Sequence, residues 1–150
     1  MNYIKYSDLN EQEMSLVDKA FEAAGHSESP SGHKVGSAII CKDGRVFQGA
    51  TNTRTRTIGS TCAERMAVDQ MFYHGNKYPE LVALVGLLQR DKWTVDNICT
   101  PCGVCLDMYW EMIMKLGMED IDILCVSWNK KRILKTSLTE LYPRIEAVRR

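Results

Sequence analysis

Two short segments carry residue types that do chemistry, Thr61-Cys62-Ala63-Glu64-Arg65 and Pro101-Cys102-Gly103-Val104-Cys105. Cys102 and Cys105 are three residues apart at a predicted helix start, so both thiols can point to one spot near that helix's N-terminus. Cys62 sits at the predicted start of another helix. Bringing the two helix ends together gathers three thiolates around one ion and leaves a fourth tetrahedral position vacant. Three protein ligands plus a water is how catalytic zinc is built, whereas structural zinc closes all four positions. Glu64 lies two residues beyond a ligand, where it can exchange a proton with water at the ion without binding the ion, which is general acid–base work. Three thiolates and Zn²⁺ sum to −1, which weakens the ion's pull on its water. Arg65 and the two helix N-termini supply compensating positive charge, and Arg65 is expected to donate to the ligand sulfurs rather than to substrate.

The same cysteines admit plainer readings: a structural zinc knot, or three unrelated buried thiols. Cys99-Thr100-Pro101-Cys102 is a second pair with two-residue spacing, so Cys99 is a candidate for closing a four-cysteine knot. Pro101 placed after it suggests instead that Cys99 ends a strand. Cys41 and Cys125 fall in predicted strands and read as inert core thiols. His26, His33 and His74 read as loop or helix-end residues. Met66, Met71, Met108, Met112, Met114 and Met118 read as helix packing, and Trp93, Trp110 and Trp128 as core or interface. Residues 51–57 alternate threonine with arginine and are either a solvated loop or part of a site.

The elements that must position these residues are legible in the hydrophobic pattern. Asp8-Leu9-Asn10-Glu11 resembles a capping box, Met14, Val17 and Phe21 follow at helical spacing, and Gly25 supplies a stop. Residues 26–34 read as loop. Val35 to Cys41 and Val46 to Ala50 flank Asp43-Gly44, a strong hairpin signal. After the polar stretch 51–61, a helix is predicted from near Cys62 to Gly75, with Met66, Ala67 and Met71 on one face. Leu81 to Leu88 is continuously apolar, as a strand covered on both faces would be. Pro101 stands where a first helical residue belongs, and Leu106, Tyr109, Trp110 and Ile113 continue to Gly117. Ile121 to Val126 reads as a strand, Asn129-Lys130 as a turn, and Ser137-Leu138-Thr139-Glu140 as a second capping box. It opens a helix that Pro143 must interrupt or restart. The economical answer is a layered α/β sandwich in one domain over residues 1–150.

Composition narrows the function. Lys plus Arg is 19 and Asp plus Glu is 19, so the net charge is zero, against a nucleic-acid binder that grips phosphates. The longest apolar run, Leu81 to Leu88, falls far short of the roughly 20 residues that span a bilayer, so no membrane partner is expected. The first residues, Met1 to Asp8, show no apolar signal-peptide core, which points to the cytoplasm and to reduced thiols among the six cysteines.

Cys-Ala-Glu-Arg followed by Pro-Cys-Gly-Val-Cys resembles the cytidine deaminase family, in particular its small three-cysteine members. Val35-Gly36-Ser37-Ala38, Asp43-Gly44 and Gly49 are similar to that family's first hairpin, Leu138 to Pro143 to its C-terminal segment, and the likeness runs over roughly residues 30 to 143. The interval of 36 residues between Glu64 and Pro101 is long, and its excess is assigned to the region Tyr73 to Trp93. The resemblance implies a three-layer α/β/α sandwich with a mixed sheet. It also implies one Zn²⁺ per subunit on Cys62, Cys102 and Cys105, with Glu64 as the proton carrier. The implied reaction converts a cytidine- or deoxycytidine-type nucleoside to its uridine counterpart with release of ammonia. Ala63 and Pro101 are then expected to hold the base, and the implied assembly is a homotetramer.

One departure bears on substrate. Nucleoside-specific members carry an Asn and a Glu for the sugar hydroxyls where this chain has Thr51 and Thr53, and Asn52 would replace them only through a one-residue slip that flips its side chain. His33 is more like the blasticidin S deaminase branch, and Arg54 and Arg56 favour a substrate bearing an anionic group. Thr51, Thr53, Arg54 and His33 are therefore the candidate substrate contacts. The competing readings are a deaminase of an aminonucleoside antibiotic or of a modified 4-substituted cytosine nucleoside, a polynucleotide deaminase, and a non-catalytic zinc-stabilised interaction domain.

Overall fold

A computed structural model of the chain describes residues 1–29, 33–88 and 97–143. Six strands, β1 (Asn2–Ile4), β2 (His33–Cys41), β3 (Val46–Ala50), β4 (Pro79–Leu88), β5 (Asp122–Val126) and β6 (Ile133–Ser137), form one sheet in the order β1-β6-β5-β4-β2-β3. β4 and β5 run parallel and the other neighbouring pairs antiparallel, so the sheet is mixed. Four helices cover it: α1 (Glu11–Ala24), α2 (Ala63–Tyr73), α3 (Gly103–Leu116) and the short α4 (Leu138–Leu141).

The strands are apolar on both faces, and each face has its own helices. Leu16, Val17, Ala20 and Ala24 of α1 pack on Ala38, Ile40, Leu81, Ala83, Val85, Leu124 and Val126. On the opposite face Ala67, Val68 and Met71 of α2 and Tyr109, Met112 and Ile113 of α3 pack on Ile39, Val82, Ile123, Cys125 and Leu134. The period-2 alternation thus sends successive residues of one strand into different cores, which is why β4 reads as an unbroken apolar run. The result is the expected three-layer α/β/α sandwich.

Several boundaries differ from the sequence expectation for local reasons. The first capping box is Asn10 with Glu13: the Asn10 side chain accepts from Glu13 N at 2.8 Å and the Glu13 carboxylate accepts from Asn10 N at 3.2 Å. Asp8 instead accepts from Lys5 N at 2.9 Å and closes a 3-10 turn over residues 6–8. β2 begins at His33 rather than Val35, because pairing with β4 extends to His33 opposite Leu88. α3 begins at Gly103 rather than Pro101, since Cys102 keeps an extended backbone (φ −73°, ψ 169°) and caps the helix. β1 and β6 have no counterpart in the sequence expectation. The second box is as expected, with Ser137 N donating to Glu140 Oε2 at 3.2 Å. The helix it opens stops at Leu141, before Pro143, and any restart lies outside the described residues. Trp93 also lies outside them. Among the described residues of the long interval after Glu64, most belong to the body of α2 and to β4.

Two glycines set the spacing of the layers. A Cβ on Gly36 would stand 2.1 Å from Ala20 O of α1, and a Cβ on Gly49 would stand 2.1 Å from Ala63 O and 2.6 Å from Ala67 N of α2. Each helix backbone therefore rests directly on a strand backbone, one on each face of the sheet.

Candidate active and metal site

Gly49 places the first turn of α2 against β3, and that turn begins the site. Cys62 is the N-cap of α2 and Cys102 the N-cap of α3, with Cys105 in the first turn of α3. Helix N-caps favour Ser, Thr, Asp or Asn, whose side chains satisfy the free amides. Neither cysteine makes a side-chain cap bond, so both helices forgo that stabilisation to put a thiol at the cap. The three Sγ atoms lie within 4.8 Å of one another. Tetrahedral zinc with Zn–S near 2.3 Å needs sulfurs roughly 3.8 Å apart. The donor set and its spacing fit that ion after a small contraction. Cys99 is outside this cluster and packs among Val35, Ala63 and Leu84, with burial pushing its thiol up to about 12. Cys41 and Cys125 are wholly buried core thiols, pushed up by burial to about 11 and about 12.

Glu64 is 5% exposed in the first turn of α2. Glu64 lies close enough to Cys105 and Cys62 for each to shift the other's titration, so the acid adjoins the cluster. Burial pushes the Glu64 carboxyl above its ordinary range, while its own backbone N–H, the Cys105 thiol and the Arg65 charge pull the other way. Burial also pushes the Cys62 and Cys105 thiols up, with Glu64 adding to the effect at both. Burial thus disfavours the charged forms of these acids, and a divalent ion placed among them would favour those forms. Two helix N-termini aimed at the same point favour the thiolate form further.

Backbone bonds tie the segment after β3 to the residues just before Cys62. Asn52 N donates to Thr61 O at 3.0 Å and Thr61 N to Asn52 O at 2.9 Å, a rung one residue from Cys62. On the other edge Glu28 N donates to Thr51 O and Thr53 N to Glu28 O. These bonds fix the register, so no slip brings Asn52 to the site. Phe47 and Gly49 face α2, and the alternation carried forward puts Thr51 and Thr53 on that face and Asn52 on the other. On β2, Val35 packs against Ala63, which puts His33, two residues earlier, on the same face. Arg54 is exposed, with its Nη1 donating to Gly59 O at 2.6 Å, and Arg56 is exposed on the same loop. Pro101 is buried beside Cys102, and Ala63 is fully buried with its carbonyl against Gly49. Arg65 is half-buried and acts through its charge on Cys62 and Glu64.

Two features escaped sequence reasoning. Gly49 seats the metal-bearing helix, and its only signal in the sequence is a glycine inside a strand pattern. Tyr109, one helical turn beyond Cys105, is 1% exposed, and among the described residues its hydroxyl makes no hydrogen bond of good geometry, with Ser37 its near neighbour. Ser37 Oγ, buried on the facing strand, is committed to Ala83 O at 3.1 Å. Helical spacing marked Tyr109 as core, but nothing in the sequence marks the hydroxyl as orphaned.

Comparison with known proteins agrees with this geometry. The family described as "Cytidine and deoxycytidylate deaminase zinc-binding region" matches residues 10–121. A probable cytidine deaminase of Dictyostelium discoideum is 26% identical over 140 residues, covering 90% of this chain and 84% of that protein. A blasticidin-S deaminase of Bacillus cereus is 25% identical over 143 residues, covering 93% and 96%. The crystal structure of a cytidine deaminase from Burkholderia pseudomallei superposes with a TM-score of 0.73 at 24% identity, over 90% of this chain and 98% of that one.

Proposed function

Since the chain belongs to the cytidine and deoxycytidylate deaminase family, and is a hydrolytic deaminase of the zinc-binding kind, we propose that it converts a cytosine nucleoside to its uracil counterpart with release of ammonia. The observation that carries this reading is a nearly buried glutamate beside a three-thiol cluster at two helix N-termini.

Cys62, Cys102 and Cys105 would hold one zinc ion per subunit. Bound there, zinc supplies Lewis acidity, which lowers the pKa of a water toward neutrality. Glu64 takes a proton from the attacking water as the oxygen adds to C4 of the pyrimidine. It hands that proton to N3, then takes the second from the new C4 hydroxyl and gives it to the departing amine, so water and cytosine leave as uracil and ammonia. Burial raises the Glu64 carboxyl, so it holds a proton more readily than an exposed glutamate does. The backbone N–H of Ala63 and the chain beside Pro101 hold the polar edge of the base. Arg65 donates to the ligand sulfurs and offsets their charge. Thr51, Thr53, Arg54 and His33 meet the remainder of the substrate.

The chain works as a single domain over residues 1–150, and the resemblance supports a homotetramer. Exposed apolar groups support association too: Ile58 is 96% exposed on the loop between Asn52 and Thr61, and Val104 is 62% exposed between the α3 ligands. Three working thiols suit a reducing compartment such as the cytoplasm. Among the described residues no helix is long and apolar enough to cross a membrane.

Ammonia release from cytidine by protein carrying its metal tests the reading. Glu64→Gln is expected to keep the metal and lose turnover by roughly 10²- to 10⁴-fold. Near-unchanged turnover, or no release by the parent protein, would refute it.

A further inference from the structure

Tyr109 and Cys105 lie four residues apart on α3, so their Cβ atoms are neighbours on one face, about 5–6 Å apart. Long side chains on a helix lean back toward its N-terminus, which carries the Tyr109 ring from its own turn toward that of Cys105. The surroundings of the phenol agree: Ser37 is its near neighbour, and charge on Glu64 or Cys105 acts on it. Ser37 stands on β2 at the position paired with Gly49, the glycine on which the first turn of α2 rests. The hydroxyl therefore sits where β2, α2 and α3 meet, on the sheet side of the cluster.

Tyr109 and Cys105 are complementary in what each lacks. Tyr109 is 1% exposed, and among the described residues its hydroxyl makes no hydrogen bond of good geometry. Ser37 Oγ commits its own proton to Ala83 O at 3.1 Å. A buried donor without an acceptor is destabilising, so its presence calls for a partner in another state of the protein. Of the three cluster thiols, Cys102 is exposed, Cys62 half-buried and Cys105 fully buried. Once a divalent ion displaces their protons, water can solvate the first two sulfurs but not the third. A buried thiolate needs donors from the protein, and a phenol O–H offers it a charge-assisted bond.

Resting on the zinc-site reading above, we infer that Tyr109 is a positioning residue for the metal, its hydroxyl donating to the Cys105 thiolate in the zinc-loaded protein and lacking that acceptor in the zinc-free one. The bond fixes the orientation of the sulfur and draws charge from it, which offsets part of the negative sum of three thiolates and Zn²⁺. Arg65 acts on the same charge from α2, through Cys62 and Glu64.

Tyr109→Phe keeps the ring and removes only the hydroxyl. In zinc-free protein its urea unfolding should match the parent's or show slightly higher stability. In competition with a zinc-chelating dye it should lose roughly 10- to 100-fold in zinc affinity, the range for groups that hold a metal ligand in place. With Co²⁺ loaded in place of zinc, the sulfur-to-cobalt charge-transfer band should move to longer wavelength in the variant, because a bond to the sulfur stabilises the electrons that are promoted. A packing role would not move that band. Unchanged zinc affinity, or an unchanged band, would overturn the inference. So would a loss of stability in zinc-free protein, since the hydroxyl would then be bonded without the ion. In each of those cases a parent protein that binds zinc and releases ammonia leaves the deaminase reading intact, whereas a parent that binds no zinc would sink both.

Discussion

The contact between Gly49 and α2 makes the sharpest structural prediction. In Gly49→Ala the new methyl would stand 2.1 Å from Ala63 O and 2.6 Å from Ala67 N, where ordinary contact begins at 3.4 Å. Both partners are helix backbone and cannot rotate away, so the start of α2 must retreat by about 1.3 Å, the shortfall from 3.4 Å. That turn carries Cys62 and Glu64, whereas Cys102 and Cys105 ride on α3 and stay behind. Overpacking of this kind costs about 1–3 kcal/mol, or roughly 3–10 °C in Tm for a chain of this size. A misplacement near 1 Å at a reacting centre costs on the order of 100-fold in rate. Gly36→Ala is the matched control: its methyl meets Ala20 O at the same 2.1 Å, but on the α1 face away from the site. Both variants should lose similar stability, while Gly49→Ala alone loses zinc affinity and kcat/KM per folded molecule. Thermal melting, competition with a zinc-chelating dye and ammonia release measure the three quantities. Equal retention of zinc affinity and rate in the two variants would refute the argument that Gly49 seats the site.

Two further predictions concern buried and bridging polar groups. Because the Tyr109 hydroxyl is enclosed and, among the described residues, makes no hydrogen bond of good geometry, Tyr109→Phe should be neutral or stabilising by up to about 1 kcal/mol in denaturant unfolding of the zinc-free protein. A loss above that would show that the hydroxyl is bonded. Asp120 accepts from Thr139 N at 3.0 Å and Ile121 N at 2.9 Å, joining the start of β5 to α4. Partial burial pushes its carboxyl up, but bonds from Thr139, Ser137 and Ile121 outweigh this and hold it below the ordinary 3.8. A depressed folded-state pKa stabilises above the unfolded value and is lost as pH falls through the folded one. Asp120→Ala should therefore cost about 1–2 kcal/mol at pH 7, with the difference shrinking as pH drops below about 4. A gap of constant size across that range in urea unfolding would contradict the linkage.

Helices were legible in the sequence where caps and a 3.6-residue apolar period coincide. α1 and α2 therefore lie within a residue or two of their expected ends, and α3 does so apart from its start. There a proline compatible with helix proved equally compatible with the extended residues before a cap. β1 and β6 were not legible. β1 has three residues, and β6 carries Lys135 and Ser137 on positions that pairing alone makes part of the sheet. Cys62, Cys102, Cys105 and Glu64 could be singled out because coordination chemistry constrains residue type and spacing together, and the three sulfurs lie within 4.8 Å of one another. The facing of Thr51 and Thr53 became definite only with the Asn52–Thr61 rung, a contact that no local pattern encodes. Gly36 and Gly49 are alike in this respect, since a close approach is a property of two elements.

X-ray absorption at the zinc edge of the purified protein reads whether three sulfurs hold a zinc ion that keeps one position for chemistry. The account predicts about one zinc per chain, with three sulfur neighbours near 2.3 Å and one oxygen or nitrogen neighbour near 2.0 Å. Four sulfurs around the ion, or active protein without zinc, would contradict it.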